Sequence, residues 1–391
     1  MLLTEEETLR RILDATQPLA TEELLLGEAG NRILANTMFA KIALPAFNNS
    51  SMDGYAVIAR DVLPGTRLRV VGEQSAGLDQ QLRVKSGTAV RIFTGAPLPE
   101  GADAVLMQED VERTGDEIIA HGQLQSGENV RLRGGDLCEG QKIADAGTRL
   151  NAQRLALLSS QGLGRVAVYR RPRVSVAVTG SELRKPDETL GPGEIYETNG
   201  IMLSELVRQS GGSPVLFDPI PDEEEAHLKS LSEAVQSDVL VVAGGVSVGE
   251  KDLVKPMLRK LGAEIALWRV AVRPGKPFLF GWLGRKIIFG LPGNPVSAYV
   301  TFVLFVRPAL LRLQGSGEAN IRTKVVTAHR LRNDGERPHY LRGKLTGDSF
   351  ALVGPQESHA LFALSQADAL VRLDAKQEVA EGETVDALVI G

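Results

Sequence analysis

Val239-Leu240-Val241-Val242-Ala243 runs directly into Gly244-Gly245-Val246-Ser247-Val248-Gly249-Glu250-Lys251-Asp252. A β-branched strand that ends in a glycine turn ahead of a helix is the repeating unit of an α/β sheet. The pattern returns twice downstream. Arg273-Pro274-Gly275-Lys276-Pro277 follows another helix and strand, and Ile287-Ile288-Phe289 opens into Gly290-Leu291-Pro292-Gly293-Asn294-Pro295-Val296-Ser297-Ala298. Glycine lets backbone N–H groups approach a ligand closely. Such turns before helix starts collect anions, because unpaired N–H groups and the helix dipole both favour negative charge. Arg273 and Lys276 add full positive charges, and Asp252 adds a carboxylate able to hold a metal ion. A single turn of this kind is more often punctuation than site. Three close together, carrying two cations and a carboxylate, read as a site for a phosphorylated, metal-assisted ligand. No nucleotide fingerprint sharpens it: Gly244 and Gly249 have phosphate-loop spacing, but Glu250 and Lys251 stand where Lys and Ser/Thr belong.

Working outward, residues 172–314 alternate strand and helix. Strands are expected at 173–178, 214–217, 239–243, 265–271 and 278–289, with helices at 200–209, 223–235, 253–261 and from Pro295 onward. This rhythm predicts a three-layer, doubly wound α/β domain whose mostly parallel sheet binds ligands beyond the carboxyl ends of its strands. Asn294 is placed to cap the last helix, and Pro295 suits its first turn. Its side chains are apolar nearly all round, so it reads as buried. Residues 45–150 differ, with short runs such as Leu68-Arg-Val-Val, Ala89-Val-Arg-Ile-Phe, Ala104-Val-Leu-Met and Ile118-Ile-Ala between Gly, Pro and Asp turns. They predict an inserted β-rich module. Before it, Thr4 and Glu7 read as a capping box for a helix striped by Leu9, Ile12 and Leu13, and a second short helix is expected over 28–34. A helix is expected again over 151–161. Residues 321–391 alternate like strands and predict a small C-terminal β-domain, a barrel.

The 391 residues suffice for several domains, and a net charge of −5 argues against a nucleic-acid binder. The lone cysteine, Cys138, excludes an internal disulfide and fits a reducing cytoplasm. The five histidines show no metal-ligand spacing. The start, Met1-Leu2-Leu3-Thr4-Glu5-Glu6-Glu7, has no basic region ahead of an apolar one. The longest apolar segment, 296–313, is interrupted by Arg307, Pro308 and Arg312 and reads as short of a membrane span. A soluble cytoplasmic protein is expected, with no membrane contact.

Four further stretches are hard to explain as packing. Asp53 precedes a glycine in Asn49-Ser50-Ser51-Met52-Asp53-Gly54-Tyr55-Ala56-Val57, where a plain Asp-Gly turn is the competing reading. Asp136 closes Asn129-Val130-Arg131-Leu132-Arg133-Gly134-Gly135-Asp136, which also fits a solvated strand edge. Glu182, in Thr179-Gly180-Ser181-Glu182-Leu183, falls at the ligand edge of the first α/β strand, although it also suits a helix start. Asp222, after Pro221, reads on spacing alone as a helix cap.

Together these motifs, with Arg91-Ile92-Phe93-Thr94-Gly95-Ala96-Pro97, Pro274-Gly275-Lys276-Pro277 and Leu291-Pro292-Gly293-Asn294-Pro295-Val296-Ser297, resemble the molybdopterin molybdenumtransferase family, which includes the E domain of gephyrin. The likeness runs over nearly the whole chain in the family's order. It implies a linking domain at 21–44 and 140–171, an inserted β-rich domain at 45–139, an α/β domain from 1–20 and 172–318, and a barrel at 319–391. It implies a homodimer with sites formed between subunits, and magnesium-dependent hydrolysis of adenylylated molybdopterin coupled to molybdate insertion. A molybdopterin-adenylylating enzyme and cofactor-accepting proteins are the implied partners. Cleaving a phosphoanhydride needs a metal, and Glu182, Asp222 and Asp252 are the candidate ligands. Molybdate, a tetrahedral dianion, needs fixed cations and donors, for which Arg273, Lys276 and Ser297 are available. The resemblance adds Arg342 and Ser358 to that set, and Pro277, Pro292 and Pro295 to the ligand contacts. Thr179, Gly180, Gly245 and Ser247 would cradle the pterin phosphate or the adenylate. Asp53 and Asp136 match functional aspartates that would reach across the dimer. Arg273 stands where the family often has lysine, and Ser181 where it often has aspartate. Two other readings share the α/β domain: an adenylyltransferase that makes the adenylylated intermediate, and a non-enzymatic scaffold. The long β-rich insertion and the C-terminal β-domain disfavour the first.

Overall fold

The computed structural model describes residues 2–246, 252–318 and 320–390. Val239–Ala243 is a strand with every residue buried, inside a six-stranded sheet. The strand order is Ser213–Leu216, Arg173–Val178, Val239–Ala243, Lys286–Leu291, Leu279–Leu283 and Glu264–Trp268. The first four are parallel, and the last two join antiparallel as a hairpin edge. Successive residues point to opposite faces. Val239, Val241 and Ala243 pack with residues of Asn199–Gln209 and of the helix from Pro295, while Leu240 and Val242 pack with Glu224–Ala234 and Val254–Lys260. Helices thus cover both faces, which is why the strand reads as an unbroken apolar run. Each such valine stabilises the fold by about 1.5–3 kcal/mol through burial.

Pro295–Leu313 is one 19-residue helix, with a wide turn at Phe302–Val306. Pro308 follows that turn and has no N–H to offer a carbonyl four residues back, so the widened turn accommodates it. By length and composition the helix could cross a membrane, which corrects the expectation that the segment falls short. However, 78% of its apolar window is buried inside the protein, where it forms part of the main core.

Arg322–Thr327, Ser349–Leu352, His339–Thr346, Ala369–Leu373 and Thr384–Val389 close into a barrel. Leu341, Val371 and Ala387 fill it, while their neighbours Tyr340, Leu370 and Leu388 join the α/β core. The two-residue period therefore seals the barrel with one set of side chains and docks it with the other. At the other end of the chain, Thr4 Oγ1 accepts the Glu7 N–H at 3.1 Å and caps the helix Glu5–Ala15. The Glu7 carboxylate does not complete the box but holds Arg10 and Arg11. No helix spans 28–34. A short 3-10 turn, Leu26–Glu28, gives way to Asn31 at φ 60°, and the fully buried Ile33 and Leu34 bridge to Arg149 and Val168 as extended chain. Core burial of those two side chains wins over local helix preference.

These parts belong to one compact unit, 1–36, 146–155 and 164–391; a second comprises 37–145 and 156–163. The second unit holds a six-stranded sheet ordered Ala104–Met107, Gly54–Val57, Thr88–Ile92, Arg67–Gln74, Glu117–Ala120 and Val111–Thr114. Tyr55, Leu68 and Ala89 pack on one face, and Ala56, Val90 and Val105 on the other.

Candidate active site

The carboxyl ends of Arg173–Val178, Val239–Ala243 and Lys286–Leu291 open into a cleft of about 1100 Å³. Gly244 and Gly245 turn its floor at φ 93° and 61°, a region that favours glycine. A Cβ at Gly244 would lie 2.6 Å from the Thr179 carbonyl oxygen, so the two strand ends are in backbone contact. Thr179, Gly180, Gly245, Pro277, Pro292, Pro295 and Ser297 all line the cleft, as do Glu182, Asp222, Asp252, Arg273, Lys276 and Ser358. Ser247 lies outside the described residues.

Several of these groups are placed at a cost that a ligand would repay. Both Asp252 oxygens are buried and have no hydrogen-bond partner among the described residues. Burial pushes that carboxyl up to about 7, with Lys255 alone opposing. Asp252 is therefore not the surface-loop residue that its glycine-rich neighbourhood suggests. The Lys255 Nζ stands 3.6 Å from the Trp268 ring centroid, and burial first, then Arg259, pulls its pKa down. Thr179 Oγ1 and Asn199 Oδ1 are likewise buried without partners. Arg273 and Lys276 are exposed, and their side chains make no hydrogen bond or ion pair among the described residues. A cleft with unpaired cations, orphaned acceptors and glycine turns is built to receive an anion and a cation together.

Two caps expected from sequence turn into cross-links. The helix at Pro295 has no side-chain cap; Asn294 Nδ2 instead donates to Ser358 Oγ at 2.8 Å. Asp222 does not cap the helix Glu224–Ala234; its N–H donates to Ser181 Oγ at 2.9 Å, and its Oδ2 accepts the Ser181 N–H at 3.4 Å. Ser181, where an acid might have stood, thus ties Asp222 to the strand end that carries Glu182.

The barrel supplies another wall through Arg337, His339, Gln356, Glu357 and Ser358. Arg342 is fully buried behind it and does not line the cleft. Its Nη2 donates to the carbonyls of Pro355 at 2.5 Å and Glu357 at 3.2 Å, while Nε and Nη1 have no partner among the described residues. Asp53 and Asp136 belong to the other unit. Asp53 Oδ1 accepts both the N–H and the hydroxyl of Thr94 at 2.8 Å, and these bonds lower its pKa. The Asp136 N–H donates to the Leu44 carbonyl, and the strand Val130–Arg131 ahead of it pairs with Asn49–Ser50.

Among the described residues no three His, Cys, Asp or Glu side chains gather as a ready metal cluster. Glu182, Asp222 and Asp252 share the cleft without closing around a point. Sequence reasoning passed over Glu197, Asn199, Arg337 and His339. Glu197 is buried, which raises its pKa, and its Oε1 accepts the Gly200 N–H at 2.6 Å. Its place just before a helix was the available signal.

Comparison with known proteins agrees with this architecture. Residues 3–162 match the family model "MoeA N-terminal region (domain I and II)", 175–312 match "Probable molybdopterin binding domain", and 324–390 match "MoeA C-terminal region (domain IV)". The molybdopterin molybdenumtransferase of Haemophilus influenzae is 37% identical over 98% of both chains. That of a Nostoc species is 38% identical over 85% of this chain and 78% of its own. A crystal structure of the molybdopterin biosynthesis MoeA protein from Pyrococcus horikoshii superposes with a TM-score of 0.85 at 32% identity, covering 100% of this chain and 99% of that one. Fold and cleft thus define a protein of molybdenum cofactor biosynthesis, built on an α/β domain with an added β-domain and barrel. Within that class, the chain belongs to the molybdopterin molybdenumtransferase family, whose members are transferases.

Proposed function

We propose that this chain hydrolyses adenylylated molybdopterin with release of AMP and places molybdate on the dithiolene of the freed pterin. One observation carries the reading: a single cleft holds two unpaired cations and a buried, unpartnered carboxylate over a floor of glycine turns. A phosphoanhydride and an oxyanion both need donors for their charge. The Thr179, Gly180 and Gly244 N–H groups are taken up by the carbonyls of Ala243, Ile220 and Leu291, so the exposed side chains of Arg273 and Lys276, without a hydrogen bond or ion pair among the described residues, would supply them. The orphaned oxygens of Asp252 fit a divalent cation, so Asp252, with Glu182 and Asp222 facing the same space, would hold Mg2+. That ion typically takes one or two carboxylates and completes its shell with water and substrate phosphate, so the lack of a closed cluster is no obstacle. When bound it would neutralise phosphate charge and make a water more acidic.

Lys276, Ser297 and Ser358 would bind molybdate, with Arg273 as a further cation. Arg342 would act from behind, by fixing the carbonyls on either side of Gln356 and so the position of Ser358. Thr179, Gly180 and Gly245 would hold the pterin phosphate or adenylate. Asp53 and Asp136 would enter from the second subunit of a homodimer. An adenylylating enzyme would supply the substrate and cofactor-accepting proteins would take the product, in the reducing cytoplasm that a lone cysteine suits. The test is AMP formation from adenylylated molybdopterin with Mg2+ and molybdate. Release of AMP together with active cofactor is expected. Consumption of ATP with molybdopterin, and no AMP release from the adenylylated form, would instead mark an adenylyltransferase.

A further inference from the structure

His339 opens the barrel strand His339–Thr346 and lines the cleft, yet it is only 5% exposed. Its Nε2 is buried with no partner among the described residues. The backbone fixes it beside the Arg273 loop: the Arg273 N–H donates to the Pro338 carbonyl at 2.8 Å, and the Tyr340 N–H donates to the Arg273 carbonyl at 2.8 Å. Three guanidinium groups act on the ring, from Arg273 on that loop and from Arg337 and Arg342 on its own segment. Among the described residues no carboxylate acts on the ring itself. Glu357 acts on Arg342, Glu5 pairs with Arg372, Asp374 also pairs with Arg372, and the residue across the neighbouring strand is Leu373. Burial first, and then the three arginines, push the ring down to about 4, so it is neutral while the cleft is empty.

We propose that His339 is a proton-taking ligand of the oxyanion pocket: as a tetrahedral dianion enters, its ring gains a proton from solvent and donates a hydrogen bond to an anion oxygen. The proposal rests on the oxyanion reading of the cleft and adds a coupling to it. A dianion cancels the field of the arginines and rewards the charged ring, reversing the influences that keep it neutral. An oxyanion offers acceptors only, so the unpartnered Nε2 serves it as an N–H donor, and the charged ring donates to a dianion more strongly than the neutral one. Between the free and the bound pKa values, linkage makes affinity rise about tenfold for each pH unit lowered.

Titration calorimetry of molybdate into the full chain tests this, from about pH 8 down to about pH 6, in buffers of different protonation heat. The native protein should gain affinity as pH falls, by up to about tenfold per unit, and take up as much as one further proton per anion through His339. His339→Gln keeps a polar side chain that cannot be protonated, and should keep only the uptake that Asp252, at about 7 in the same cleft, contributes to both proteins. Protonation of molybdate itself is common to both proteins and cancels. Equal uptake in both, or uptake in neither, overturns the proposal while leaving the oxyanion site standing. No binding by the native protein removes the oxyanion reading and the proposal with it. Should the variant fail to fold, nitrogen NMR of the native protein's five histidines decides the matter. The ring that stays neutral down to about pH 5 without molybdate should become protonated when molybdate is added, and no change in it overturns the proposal.

Discussion

Asp252 shows how burial shifts a single carboxyl. Its unfolded value is 3.8 and its folded value is about 7, so the native state holds a proton that the unfolded chain has lost. The stability of the ligand-free protein therefore falls as pH rises from about 4 to about 7, then stays low. Asp252→Asn should flatten that decline and stabilise the ligand-free protein at pH 8 by roughly 2 kcal/mol, allowing for water in the cleft, while abolishing AMP release. Thermal unfolding across that pH range checks the sign. Mg2+ should raise the melting temperature of the native protein and leave the variant unmoved. The place of Asp252 beside the glycine turns was legible in the sequence, but the burial of its two oxygens was not. Asp222 and Asn294 were legible as polar residues at helix starts, yet Ser181 and Ser358 claim them. A polar residue at a helix start can cap the helix or tie it to another segment, and spacing along the chain cannot tell which it does.

At the scale of an element, the turn after Val239–Ala243 joins two strand ends. Gly244→Ala would force a side chain into φ 93° and bring its Cβ within 2.6 Å of the Thr179 carbonyl oxygen. Backbone atoms cannot yield there, so a loss of about 2–4 kcal/mol is expected, with the cleft floor displaced. Denaturant unfolding measures it, and a loss below about 0.5 kcal/mol would mean the two turns are not in contact. The central strands of this sheet were legible because burial on both faces leaves unbroken β-branched runs. The single strand expected over 278–289 is instead two, Leu279–Leu283 and Lys286–Leu291, folded antiparallel on each other, and the one expected over 265–271 ends at Trp268. The segment 28–34 was misread because Ile33 and Leu34 bridge to Arg149 and Val168 as extended chain, a pairing that no local pattern shows. His339 gave no signal at all. Arg337-Pro338-His339-Tyr340 reads as a strand start, and its meaning arises from an arginine on a loop well away in sequence.

For the whole molecule, strand–helix alternation made the α/β domain legible and short turn-bounded runs did so for the β-rich sheet. Barrel closure needed long-range pairing that no local pattern encodes. If Asp53 of one subunit completes the site that holds Asp252 of the other, then Asp53→Asn and Asp252→Asn proteins, each inactive alone, should complement. Randomly mixed dimers would recover about a quarter of native turnover, since half carry one intact site of two. A mixture as inactive as its components would place both residues in the same subunit's site or remove Asp53 from catalysis. The most direct measurement is a crystal soaked with molybdate and magnesium, with the anomalous signal of molybdenum used to locate the anion. The account predicts one strong peak in the cleft, within hydrogen-bond reach of Lys276 and Ser297, and lost in Lys276→Ala. A molybdenum peak elsewhere, with this cleft holding only water, would contradict it.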